Sequence, residues 1–221
     1  MSFSPLEQKL WVLGGLVFWD LVYILMIRRG LKDKSYGMPM VALCINVAWE
    51  TYYSFFSVEQ PANRIVNGLY LVPDLGVLWT CWRYGPGDFI SPLIRQHFRS
   101  FMAIVLVCAF ILMRVFALAF QDDYGALSAS FTTLLMSVLL VGMLLRRDSV
   151  RGQSLYIGLF VLLGNLCGAV ENFIAKQTVV PDLSLAWANT AYGLILFANL
   201  LYLLLYISIA RRDKVSLLRR V

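Results

Sequence analysis

Four carboxylates, Asp20, Glu50, Asp74 and Glu171, stand inside long apolar stretches of this chain. A charged side chain at the centre of a bilayer costs about 2.5 kcal/mol or more by insertion scales, so each acid needs a partner, a proton or a task. Proton transfer is the chemistry such groups can do, and helical spacing gives each acid a polar and aromatic face on which to do it. Asn46, Glu50 and Tyr53 follow one another at i−4, i and i+3, with Trp49 adjacent. Asn63, Asn67, Tyr70 and Asp74 form a second stripe, and Asp20 pairs with Tyr23 beside Phe18 and Trp19. Gly164, Gly168, Glu171 and Ala175 share a third face, where small residues leave either close helix contact or open volume. The last apolar stretch adds Trp187, Asn189 and Tyr192, then Asn199, Tyr202 and Tyr206.

The elements that must position these groups are membrane helices. Hydrophobic residues make up 60% of the chain and charged ones 14%, with a mean hydropathy of +0.72, which leaves too little polar surface for a soluble monomer. Stretches long enough to cross about 30 Å of hydrocarbon occur near 10–27, 38–57, 64–82, 98–119, 125–145, 154–175 and 185–210. The expected fold is therefore all-α, a polytopic bundle of seven transmembrane helices forming one domain over residues 1–221. Glu7 and Lys9 flank the first apolar run and no small-residue cleavage site follows it, so no signal peptide is expected. Most of the 19 basic residues fall on one side: Arg28, Arg29, Lys32 and Lys34, then Arg83, Arg95 and Arg99, Arg146, Arg147 and Arg151, and the cluster from Arg211 to Arg220. Lys9, Arg64 and Lys176 lie on the other. The positive-inside rule puts the amino terminus outside and the carboxyl terminus in the cytoplasm. The net charge of +6 is thus a topology signal with some attraction to anionic lipid, and the short scattered clusters argue against nucleic acid.

Depth separates the acids. Glu50 and Glu171 come late in outward-running helices, and Asp20 and Asp74 near the middle of theirs. Arg114 shares the outer level and is a candidate counter-charge for an ionised carboxylate. Asp74 follows Pro73, where a missing backbone donor frees a carbonyl, so a hydrogen bond across a kink competes with a functional role. Cys44, Cys81, Cys108 and Cys167 have no paired spacing and read as packing residues. His97, the only histidine, has no ligand-spaced neighbour, so a haem, zinc or di-iron site is not expected.

The run Asp33-Lys-Ser-Tyr36-Gly-Met-Pro39, followed by Ala42-Leu43-Cys44, Asn46 and Trp49-Glu50, resembles the small seven-helix integral-membrane terpene cyclases of meroterpenoid and indole-terpenoid biosynthesis. The resemblance covers the whole chain in architecture and about eighteen residues in motif. It implies protonation-initiated cyclisation of a prenylated or epoxyprenylated aromatic substrate, with Glu50 as the general acid. The family's second acid falls to Glu171, the only late intramembrane acid, with Asp74 and Asp20 as further catalytic candidates. A carboxyl group in a low-dielectric cavity favours the protonated form that a general acid needs. Asn46 and Tyr53 would orient its proton, and Trp49, Tyr53, Tyr70, Trp79, Trp187 and Tyr192 would stabilise the carbocation by cation–π attraction. The remaining substrate-binding candidate is Arg114.

No cofactor or metal is expected. Asp122-Asp123 lacks the further spaced acid of a diphosphate-ionising motif, and no Asp-x-Asp-Asp motif is present. The expected partners are a lipophilic prenylated small molecule, membrane lipid and other enzymes of the same pathway, in a bacterial inner membrane or the endoplasmic reticulum. Two readings compete. A proton-coupled transporter would also place acids at staggered depths, but the first and last three helices show no internal repeat. A scaffold subunit would use Glu50 for stability alone. A retinal photoreceptor would need a lysine between Leu185 and Ala210, where there is none.

Overall fold

The structure, a computed structural model, describes residues 4–57, 61–178 and 185–220. The side chains of Asn63, Ala175 and Lys176 lie outside the described residues. Among the described residues seven α-helices follow one another: α1 (Pro5–Asp33), α2 (Met40–Phe55), α3 (Pro61–Tyr84), α4 (Pro92–Phe120), α5 (Ala126–Arg147), α6 (Leu155–Thr178) and α7 (Leu185–Arg212). A single 3₁₀ turn, Gly85–Asp88, separates α3 from α4. Local chemistry sets the boundaries. Ser4 accepts the Glu7 N–H at 3.3 Å while its own N–H donates to the Glu7 carboxylate at 2.8 Å, a reciprocal cap that starts α1 with Pro5 in its first turn. Lys34, Gln121 and Asp148 end α1, α4 and α5 in the left-handed region, at φ of 49°, 51° and 45°.

Six of these helices are long and apolar enough to cross a membrane. The seventh is the exception. The expected stretch 38–57 forms a helix of 16 residues, about 24 Å at 1.5 Å per residue and so shorter than the hydrocarbon core. Pro39 fixes where α2 begins, and Phe56 closes it with its N–H on the Tyr52 carbonyl. Much of α2 is buried, because it packs among α3, α4 and α5.

Helix contacts close a ring: α1 packs on α6, α6 on α7, α7 on α5, α5 on α2, α2 on α3, and α3 on α1 again. The fourth helix is left outside, against α2 with a lesser contact to α5. Its Ile104, Val107, Ile111, Val115 and Leu118 are exposed. Such an outward apolar face suits lipid, where apolar side chains need no burial.

One end of the ring is closed by ions. Asp33 receives Arg29, Arg220 and the Gly152 N–H, the last at 2.8 Å. Arg147 pairs with Asp88, donates to the Tyr36 carbonyl at 2.9 Å and lies 4.3 Å from the Tyr36 ring centroid. Gln153 donates to the Gly37 carbonyl. Gly152 has φ of 73°, and a Cβ there would stand 2.5 Å from the Tyr36 carbonyl oxygen, so only glycine allows that approach. The Tyr36-Gly37-Met38-Pro39 run therefore acts as a clamp between the start of α2 and the α5–α6 turn. Removing one partner from a buried ion pair typically costs about 3–5 kcal/mol. Arg147→Met leaves Asp88 with only the more distant, half-exposed Arg146 at 3.5 Å and strands the Tyr36 carbonyl, and we expect a destabilisation toward the lower end of that range, read as a lower melting temperature in detergent. Arg147→Lys should recover only part of it, because an ammonium lacks the planar fork.

Candidate active site

The ring encloses a cavity of about 140 Å³. Each helix in the ring contributes to its wall through residues at helical spacing. Gly15, Trp19 and Tyr23 come from α1; Asn46, Trp49 and Glu50 from α2; Tyr70 from α3. Opposite them stand Thr132, Thr133 and Met136 of α5, Gly164, Asn165, Gly168 and Glu171 of α6, and Tyr192 of α7.

Glu50 and Asp74 meet at this cavity's edge. Glu50 is 3% exposed and Asp74 0%, and a single amide bridges their carboxyl groups. Asn46 holds both acids: its Nδ2 lies 3.1 Å from Glu50 Oε1 and 2.7 Å from Asp74 Oδ2. Tyr23 of α1 donates to Glu50 Oε1 at 3.3 Å, and its hydroxyl accepts from Asn46 at 3.0 Å. Glu50 Oε2 and Asp74 Oδ1 are buried and meet no donor, so a proton on either carboxyl is the group that can satisfy them. Asp74 is thus tied to α2 rather than to its own backbone around Pro73, and α3 remains helical through that proline.

Glu171 lines the same cavity. A Cβ on Gly15 would stand 2.5 Å from its Oε1, so the glycine lets this carboxyl lie across α1. Two of the three glycines of α6, Gly164 and Gly168, seat aromatics of the cavity wall. A Cβ at Gly164 would fall 2.9 Å from the Trp19 indole nitrogen, and one at Gly168 would fall 3.3 Å from the Tyr192 hydroxyl. Asp20 stands off the lining, half-buried, with Oδ1 buried and unpartnered. It is within electrostatic reach of Tyr70, as are Glu50 and Glu171.

Several expected residues are placed elsewhere. Tyr53 does not orient Glu50. Its hydroxyl donates to the Asp122 carbonyl at 2.8 Å and accepts from Ser128 at 3.1 Å, one turn along α2 from Glu50. Asp122 itself caps α5, accepting the Leu127 and Ser128 N–H groups at 3.0 and 2.7 Å. Trp49 reaches the cavity while its indole N–H donates to Ser128 at 2.9 Å. Trp187 donates to Ser130 at 2.9 Å and Trp79 packs edge-on against Tyr84, and neither lines the cavity. Arg114 is exposed on α4. It is no counter-charge to the acids, because α4 lies outside the ring.

Trp19, Thr132, Thr133 and Asn165 line the cavity without having been singled out from sequence. A signal existed for the threonines: Ser128, Ser130, Thr132, Thr133 and Ser137 crowd hydroxyls into one apolar segment. For Trp19 and Asn165 the register of α1 against α6 decides.

Comparison with known proteins identifies the family. The sequence model of the Pyr4-like transmembrane terpene cyclases matches residues 3–212. The chain is 27% identical to terpene cyclase macJ of Penicillium terrestre, over 90% of this chain and 80% of that protein. It is also 27% identical to the Pyr4-family terpene cyclase mfmH of Annulohypoxylon moriforme, over 97% of this chain and 91% of that one. With terpene cyclase pyr4 of Aspergillus fumigatus it shares 30% identity, over 81% and 77%. No solved structure matches. A ring of apolar helices around paired acids, and a match over nearly the whole chain, lead to one conclusion: this protein belongs to the Pyr4-like transmembrane terpene cyclases.

Proposed function

We propose that this chain cyclises a prenylated or epoxyprenylated aromatic substrate by proton donation from Glu50. The observation that carries the reading is the pairing of two buried acids, Glu50 and Asp74, on the one amide of Asn46 at the edge of an aromatic-lined cavity. The proton passes from Glu50 to an epoxide oxygen or a terminal alkene. With an epoxide, the C–O bond opens as the O–H bond forms, and the cation at the opened carbon is attacked by the next alkene. Each attack forms one C–C bond and moves the cation along the chain. Trp19, Tyr23, Trp49, Tyr70 and Tyr192 present rings that attract the cation without capturing it. Glu171, elsewhere on the wall, takes the proton that leaves at the end. Product and substrate are then isomers, and the proton activates the substrate without a metal or loss of diphosphate.

Membrane placement follows from the same reading. All seven helices cross the bilayer, the short α2 with its ends below the surface, and the Arg-rich end faces the cytoplasm. The fungal relatives favour the endoplasmic reticulum.

Chromatography with mass detection tests the chemistry, since cyclisation gives a retention shift at unchanged mass. Glu50→Gln keeps the shape of the side chain and removes the proton, and we expect turnover to fall by about 10²–10⁴-fold, the usual span of general acid catalysis. Asp74→Asn should also lower turnover, with substrate affinity unchanged, because it removes the acid paired with Glu50 on Asn46. Full turnover by folded Glu50→Gln protein would move the acid to another carboxylate. Glu171→Gln should still consume substrate but change the ratio of alkene isomers and hydrated product, since only termination is altered. An unchanged product ratio would remove Glu171 from the mechanism.

A further inference from the structure

The central cavity is smaller than the substrate class that fits its chemistry. At about 140 Å³ it is close to a cavity that accepts one benzene-sized guest, whereas a prenylated aromatic brings a ring and a polyene tail. Part of the molecule must lie elsewhere. A second hollow of about 330 Å³ opens on the flank of the bundle between α6 and α7, and Tyr192 lines both spaces. Its walls are mainly apolar, including Ala169, Ala188 and Leu196, with two amides, Asn172 and Asn189. Asn172 is 8% exposed. Its Nδ2 donates to the Tyr192 hydroxyl at 2.8 Å, while its Oδ1 is buried and meets no donor. A buried acceptor left bare in an apolar setting is costly, so this hollow is complete only when an O–H or N–H reaches it. Asn172 lies within two turns of the end of α6, and Asn189 within two turns of the start of α7. Both amides are therefore near the level where a bilayer-dissolved molecule keeps its polar end, with its tail pointing inward.

The geometry points to the α6–α7 hollow as the head-group subsite of the cyclisation substrate. The aromatic ring rests against Ala169, Ala188 and Leu196 and donates a phenol O–H or indole N–H to Asn172 Oδ1. The tail runs past Tyr192 into the central cavity and ends at Glu50. This inference rests on the cyclase reading, and it specifies the head group as one that carries a hydrogen-bond donor.

Binding separates the subsite from the chemistry. The probes are an epoxyfarnesyl phenol and its O-methyl ether, measured at equilibrium against Glu50→Gln protein in lipid nanodiscs, where turnover is removed. The phenol should bind about 10-fold more tightly than the ether, and adding Asn172→Leu should abolish that preference. Gly193 lines the hollow and a Cβ there meets nothing within 4 Å, so the backbone admits a side chain and Gly193→Phe directs a ring into the space. It should weaken both probes by 10-fold or more, with Gly193→Ala close to the parent as a folding control. Equal binding of the two probes, or unchanged binding in Gly193→Phe, would overturn the subsite. Unchanged binding is also the result if a lipid acyl chain occupies the hollow. Wild-type turnover of the phenol is read separately: cyclisation with no dependence on the hollow removes this inference alone, whereas hollow-dependent binding without cyclisation removes the reaction and leaves the site.

Discussion

Two buried carboxyl groups held by one amide inside an apolar bundle need hydrogen-bond donors for their lone pairs, because a buried polar group left bare is costly. Asn46 and Tyr23 supply the donors, which means that α1, α2 and α3 must hold one relative register. The rest of the ring follows from that demand. The helices α6, α7 and α5 complete the wall, and α4, which contributes nothing to it, faces lipid instead.

The same logic explains the contrast between the two ends of the molecule. At the Arg-rich end, charges are paired and clamped: Asp33 with Arg29 and Arg220, and Asp88 with Arg147. Such closely paired ions fix geometry more than they add stability, since desolvation offsets much of their attraction. They hold the start of α2 in place, and α2 carries both Asn46 and Glu50. Toward the other end the chain relies on small residues. Gly15 and Gly164 let Glu171 and Trp19 lie closer to a neighbouring helix than a Cβ would permit, and Gly168 gives Tyr192 a tight seat. A clamped end and a small-residue end together frame the cavity.

A protein built this way suits a substrate that never leaves the membrane. A flexible polyene loses conformational freedom when folded for reaction, and an apolar cavity with aromatic walls can impose that fold while excluding water. The flank hollow and the central cavity share Tyr192 in their walls. The short α2 fits this picture, because a helix enclosed by three others has no need to match the bilayer's thickness.

Sequence alone determined the helices, the acids and the family. Hydropathy over 18 or more residues marks a span whatever its neighbours, and the stripe Asn46, Glu50 is a property of one helix. The motif from Tyr36 to Glu50 was specific because a clamp and an acid lie one short helix apart. What remained for the tertiary structure was every relation between helices. That Asp74 rather than Glu171 shares Asn46 with Glu50, that Tyr53 turns toward Asp122, and that Arg114 faces outward all depend on rotation and register. Those follow from packing of small residues and polar contacts distributed over several helices, which no periodicity within one segment records.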